Sequence, residues 1–347
     1  LKFTQLATSS GLSRSEVQCI YQDRQGFMWF GTRDGLNRYD GYKFKVFRKN
    51  LNNKNVIASN DIKALLEDNN NNLLVATADG GLTVLDLKAE QFFAANNKLP
   101  GTAGISNYIH TLYADGDKVI WLGSSDKGLY RYDVRTRSLK SLLPGNAANQ
   151  NITSIIKDKK GNIWAGTGAD GIHIFSADGK YLKHYSLKDG TAHGLIHNTI
   201  RFIYQDHQQR IWVGTYGGGL HQYDQSTDSF KQVQFENSFE SSAHRFLLCM
   251  EEDTKGNLWI GTENGGLSVY NPVTQSSVTY HHIDNDAASL SSNTINCIKR
   301  DQKGNMWIGT ANSGISMVRI DEATFLHYKY QHDTNGLSNN IVNGIFE

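Results

Sequence analysis

Residues 166–171, Gly166-Thr167-Gly168-Ala169-Asp170-Gly171, spell G-x-G-x-x-G, a spacing that cradles a dinucleotide pyrophosphate where it opens a helix. Ser124-Ser125-Asp126-Lys127 spells S-x-x-K, a nucleophile and base for acyl transfer when one helix aims both side chains. Both stretches fall in a turn between two short β-rich runs with no helix after them, so neither has the element its chemistry needs. No H-E-x-x-H, C-x-x-C or G-x-S-x-G occurs. Among the twelve histidines, His281 and His282 are adjacent, and neighbours on a strand face opposite sides, so they share no metal without a bend. Cys19, Cys249 and Cys297 each stand four residues before an aspartate of the same kind, Asp23, Asp253 and Asp301. This equivalence puts them on separate repeats, expected to be far apart, as small buried hydrophobes rather than a disulfide or metal set. Paired carboxylates for glycoside cleavage depend on a spatial separation that the order of residues does not display, so a propeller lyase or glycosidase stays open as an alternative. No catalytic residue, metal ligand or cofactor site is expected.

The elements that position these residues come from one repeated unit. Trp29-Phe30-Gly31-Thr32 recurs at Trp164, Trp212, Trp259 and Trp307, with variants Trp121-Leu122-Gly123-Ser124 and Leu74-Val75-Ala76-Thr77. All six tryptophans sit in it, and the steps between its third positions are 45, 47, 43, 48, 47 and 48 residues. A fixed period of this size marks a repeat architecture. In the fifth copy, the runs Thr199–Tyr204, Ile211–Thr215, Leu220–Asp224 and Phe230–Phe235 are separated by Gly, Asp and Asn turns, the pattern of an antiparallel meander. Only three prolines occur in the chain, as suits residues that must donate to ladders. The expected fold is all-β: a seven-bladed β-propeller of four-stranded antiparallel blades.

On this reading residues 1–324 form the propeller, with units near 11–47, 60–95, 107–142, 150–185, 198–235, 244–282 and 293–329, and 325–347 begin a further repeat. Residues 2–6 are expected to supply the outer strand of the seventh blade beside Gly314–Val318. Trp29, Trp121, Trp164, Trp212, Trp259 and Trp307 are assigned to wedges between blades, the glycine to close approach, the threonine hydroxyl to the next turn. The Asp-x-x-Gly-Asn turns, as at Asp158–Asn162, are expected to place both glycine and asparagine at positive φ.

The unit I-x-x-I-x-x-D-x-x-G-N-x-W-x-G-T-x-x-G-G-L-x-x-Y-D resembles the two-component regulator propeller repeat, and Gly11-Leu12-Ser13 with Gln22–Thr32 and Leu36–Gly41 looks like the first repeat of such sensors. The resemblance implies a non-enzymatic, periplasmic sensor region of a membrane-bound histidine kinase or diguanylate cyclase. It further implies an unknown small molecule or oligosaccharide as ligand, downstream domains of the same receptor as partners, and a possible homodimer; a protein-interaction scaffold is the alternative. Lys+Arg 35 against Asp+Glu 34 leaves a net charge of +1, so no nucleic-acid partner is expected. No run of 18 apolar residues and no leader-like stretch occurs in the sequence.

Ligand-reading residues are sought where the copies differ. The turn after the motif carries Arg33, Asp34, Tyr216 and Glu263. Five residues before the repeat aspartate stand Gln18, Lys63, His110, Thr153, Arg201, Leu248 and Asn296, a mostly polar column within apolar strands. Arg33, Asp34, Lys63, His110, Arg201, Tyr216, Glu263 and Asn296 are the candidate channel-mouth residues.

Overall fold

A computed structural model describes residues 1–50, 52, 56–142, 151–187, 194–235 and 243–319 of the chain. Seven four-stranded antiparallel sheets account for almost all regular structure. Blade one runs Val17–Gln22, Met28–Thr32, Gly35–Tyr39 and Phe44–Phe47. Blades two to six repeat that order, beginning at Ile62, Ile109, Ile152, Ile200 and Leu247. Blade seven takes Ile295–Arg300, Met306–Thr310 and Ile315–Val318 from the end of the described chain and its outer strand, Thr4–Leu6, from the beginning. Thr4 faces Met317, and Leu6 faces Ile315, so the expected closure is observed. The further repeat expected over 325–347 lies outside the described residues. The first strand of each blade packs against the first strands of both neighbours, the seventh against the first, and so these seven strands surround the axis.

The core is divided as the repeat divides the sequence. Trp29 packs with Ile62 and Val75 of blade two, Trp121 with Ile152 and Ala165 of blade four, and Trp164 with Ile200 and Val213 of blade five. Trp212, Trp259 and Trp307 do the same at the next three interfaces, while Leu74 serves the interface between blades two and three. All six indoles are buried. Each is a wedge whose removal from water contributes about 2–3 kcal/mol.

The repeat aspartate does more than start a turn. Asp158 Oδ1 accepts from the amides of Lys160 and Asn162, and its Oδ2 accepts from Asn162 Nδ2 and from Trp164 Nε1 at 2.9 Å. The same Asp-to-indole bond forms at Trp29, Trp212, Trp259 and Trp307. This corrects the expectation for the turn: Gly161 is left-handed at φ 86°, but Asn162 is not among the positive-φ residues and instead clamps the carboxylate with its amide. The threonine assignment holds, with Thr167 Oγ1 donating to Gly171 O at 3.0 Å and accepting from the Asp170 amide at 2.8 Å.

The cysteines also require a correction. They are free as expected but half-buried rather than buried, and they lie on three consecutive inner strands, because ring closure sets blade one beside blade seven. Burial pushes the Cys19 and Cys249 thiols up to about 12. It raises Cys297 as well, with Cys249 and Cys19 close enough to add to the effect.

Candidate functional site

The inner strands do not run straight. In every blade the pairing of first and second strands shifts register at one residue: between Val17 and Cys19, Ile62 and Ala64, Ile109 and Thr111, and likewise in blades four to seven. The skipped residues are Gln18, Lys63, His110, Thr153, Arg201, Leu248 and Asn296, the column singled out in the sequence. A bulge leaves its extra residue outside the ladder and re-aims its side chain. Seven bulges around one axis thus present seven different side chains at the inner edge of the ring.

Contacts among these side chains show which share a space. Gln18 Nε2 donates to Asp61 Oδ1 at 2.7 Å, and Lys63 Nζ donates to Gln18 Oε1 at 2.5 Å and pairs with Asp61 at 3.0 Å. Thr153 Oγ1 donates to Ile200 O at 2.7 Å, and Asn296 Nδ2 to Val17 O at 3.1 Å, each bridging to the next blade. His110 is held below its usual range, first by burial and then by the Lys63 cation, with Arg201 acting in the same direction and Asp61 and Asp126 opposing. Lys63, His110, Asp126 and Arg201, from blades two, three and five, therefore share one electrostatic environment.

A second group lies on the rim that carries the turns after the motif. The Arg201 guanidinium stands 5.9 Å from the centre of the Tyr216 ring. Tyr216 Oη donates to Glu263 Oε2, and this bond is the first cause of the phenol's raised pKa. Phe246 meets the Tyr216 ring edge-on at 4.9 Å while 36% exposed. Arg201, Tyr216, Phe246 and Glu263 so form an open platform of cation, aromatic faces and carboxylate, suited to polar ligands with both hydroxyl groups and apolar faces.

The remaining candidates are engaged elsewhere. Arg33 pairs with Glu16 at 3.1 Å and is 54% exposed. Asp34 pairs with Arg48 at 2.9 Å, on the chain leaving the outermost strand of blade one. Asn296 is tied to backbone. Asp61 and Phe246 were not singled out in the sequence, although the signal was available: both stand seven residues before the repeat aspartate. That position also bonds through its carbonyl to the turn after the motif, as in Glu263 N to Phe246 O at 3.0 Å and Ala78 N to Asp61 O at 3.0 Å.

A crevice of about 460 Å³ opens at the opposite rim, between the first turns of blades four and five. Lys159, Lys160, Trp164, Gln205 and Arg210 contribute to its walls. Gln205 Nε2 and Arg210 Nη2 are buried there without hydrogen-bond partners. Asp228 bounds it on the outside, accepting from Tyr185 Oη at 2.6 Å and Tyr223 Oη at 2.7 Å.

One more cluster has metal-ligating chemistry that the sequence did not reveal. Asp170, His173 and His184 bring one donor atom each within 4.8 Å of one another. The register of the outer hairpin of blade four, which sets His173 opposite His184, produces it.

Comparison with known proteins agrees with this architecture. The model of the two component regulator propeller family matches residues 11–34, 103–126, 146–169, 194–217, 241–264 and 289–312. The extracellular domain of the hybrid two component system BT3049 from B. thetaiotaomicron superposes with a TM-score of 0.78 at 25% identity, over 100% of this chain and 45% of that one. The extracellular domain of the one component system BT4673 from the same organism gives 0.76 at 28% identity, over 92% and 40%. A histidine kinase, P4, of Formosa agariphila is 50% identical over 48 residues, 14% of this chain and 4% of that protein. The chain thus spans less than half of the sensor chains it matches. Among the described residues no helix is long and apolar enough to cross a membrane.

Proposed function

Because the chain is built from two component regulator propeller repeats, we propose that it is the extracytoplasmic, ligand-reading propeller of a membrane-bound bacterial signalling receptor. The observation that carries this reading is the ring of bulges. The motif residues are nearly constant across the copies and are consumed by wedges and turns. The bulged residue differs in every blade yet is aimed at the same axis in all of them. A purely architectural ring has no need of that diversity. Likeness to extracellular domains of two component systems supports the compartment.

The platform around Arg201 and Tyr216 favours an oligosaccharide. Aromatic faces take the apolar side of a sugar ring, and Arg201, Lys63 and Glu263 suit its hydroxyl or carboxylate groups. Binding would bias how the propeller packs on downstream domains of the receptor, or across a homodimer, and so pass the signal to a histidine kinase or diguanylate cyclase output. A ligand shifts such an equilibrium only by its differential affinity for the two states. A thermal-shift screen of oligosaccharides followed by calorimetry tests this, since a ligand of the folded state raises the melting point. Arg201→Ala and Tyr216→Ala are expected to weaken a hit by roughly tenfold or more. Unchanged affinity in both would move the site to the opposite-rim crevice.

A scaffold role without small-molecule ligand is the second reading. It is supported by Val273, Val278 and Ile283, exposed on and around the outermost strand of blade six. A flat ligand screen, together with a dimer that Val278→Lys dissociates, would establish it instead.

A further inference from the structure

We infer that Asp170, His173 and His184 form a binding site for one divalent transition-metal cation on blade four, independent of the sensory reading above. Asp170 lies in the turn after the motif. His173 lies on the third strand, buried, and His184 directly opposite on the fourth. The two imidazoles are stacked with centres 4.3 Å apart and planes within 8°, and both Nε2 atoms lie near the same carboxylate oxygen.

The distances fit co-ligands better than hydrogen-bonded partners. Asp170 Oδ2 is 3.3 Å from His173 Nε2 and 3.6 Å from His184 Nε2. Charge-assisted hydrogen bonds settle at about 2.7–2.9 Å. A tetrahedral zinc with bonds of about 2.0–2.1 Å holds its ligands about 3.3–3.4 Å apart. The two carboxylate–imidazole distances are close to that span, and the stacked rings must turn out of parallel to aim both Nε2 lone pairs at one ion. Among the described residues the ion-pair contacts of Asp170 are with these two histidines.

Two imidazoles with one carboxylate select Zn²⁺, Co²⁺, Ni²⁺ or Cu²⁺. Ca²⁺ requires six to eight oxygens and is not served. His184 Nε2 lies 2.6 Å from Asp170 O. Its proton must move to Nδ1 for Nε2 to ligate, and the ring swings from the carbonyl toward the ion. Three protein ligands leave a fourth position for water or a group from a partner. The site sits on the same rim as Tyr216 and Glu263, and an ion there would pin the 168–171 turn to the outer hairpin.

The test uses tag-free chain dialysed against chelator. Titration with CoCl₂ should develop visible ligand-field bands at one equivalent, and ZnCl₂ should bleach them. His184→Ala, and separately the isosteric Asp170→Asn, should weaken Co²⁺ binding by roughly tenfold or more, while His281→Ala leaves it unchanged. Circular dichroism confirms that each variant is folded. Absence of Co²⁺ bands and of Zn²⁺ binding heat up to about 1 mM would overturn the assignment. Wild-type binding by folded His184→Ala and Asp170→Asn would overturn it as well.

Discussion

Replacing Gly261 by alanine tests how closely the blades are packed. A Cβ at 261 would lie 2.6 Å from Cys249 Sγ and 2.7 Å from both Cβ and Cγ2 of Ile295. Carbon contacts settle at about 3.5–4.0 Å, so each side must yield by about 1 Å. The thiol can swing on one torsion, but Ile295 Cβ is fixed to the inner strand of blade seven, which must retreat. Such overpacking costs about 1–3 kcal/mol, a fall of roughly 2–4 °C in Tm per kcal/mol.

Blade two provides an internal control. It carries Ala76 at the motif glycine and Ala64 at the cysteine position, packed with Ile109 of blade three. Cys249→Ala in the Gly261→Ala background recreates that arrangement. It should recover part of the loss, with a coupling of about 1–2 kcal/mol in the double-mutant cycle. Urea unfolding of the four proteins, followed by tryptophan fluorescence and circular dichroism together, measures it. A Gly261→Ala protein within about 0.5 kcal/mol of wild type, or strictly additive substitutions, would refute the account of the interface.

Two further outcomes concern closure and titration. Phe3 is buried with Trp259, Leu290 and Tyr280, and its amide donates to Ala288 O at 2.9 Å. Phe3→Ala should therefore cost about 3–5 kcal/mol in the same urea assay. Burial pushes His221 down to about 4. The unfolded chain takes up this proton below about 6.5 and the folded one only near 4. Stability is complete above 6.5 and falls as pH drops between the two values, by at most about 1.4 kcal/mol per pH unit. His221→Phe should flatten that part of the pH–stability curve, and an unchanged slope would refute the assignment.

The repeat made the blade count, the strand order and the buried tryptophans legible, because each depends on residues within one unit of 43–48 positions. Even the bulge column was visible as polar residues interrupting an apolar strand, although nothing in the spacing announced a bulge. The turn chemistry was half legible: Gly161 showed its left-handed backbone, while the Asn162 and Trp164 bonds to Asp158 did not. They run between side chains four and six positions away, and periodicity describes strand faces rather than side-chain reach.

What the sequence determined by itself is the unit: four short strands, their turns, and the apolar wedge each copy must bury against its neighbour. Only the tertiary structure decided what lies beside what across units. Ring closure set Cys19 beside Cys297 although 278 positions separate them in the chain. The packing of blade five on blade six placed Tyr216 against Phe246 and Glu263. Hairpin register, which reverses every facing pair when it slips by one residue, put His184 opposite His173. A repeat carries the geometry of its own strands, whereas distances across blades depend on twist, bulges and closure summed over the whole ring, and no single copy contains them.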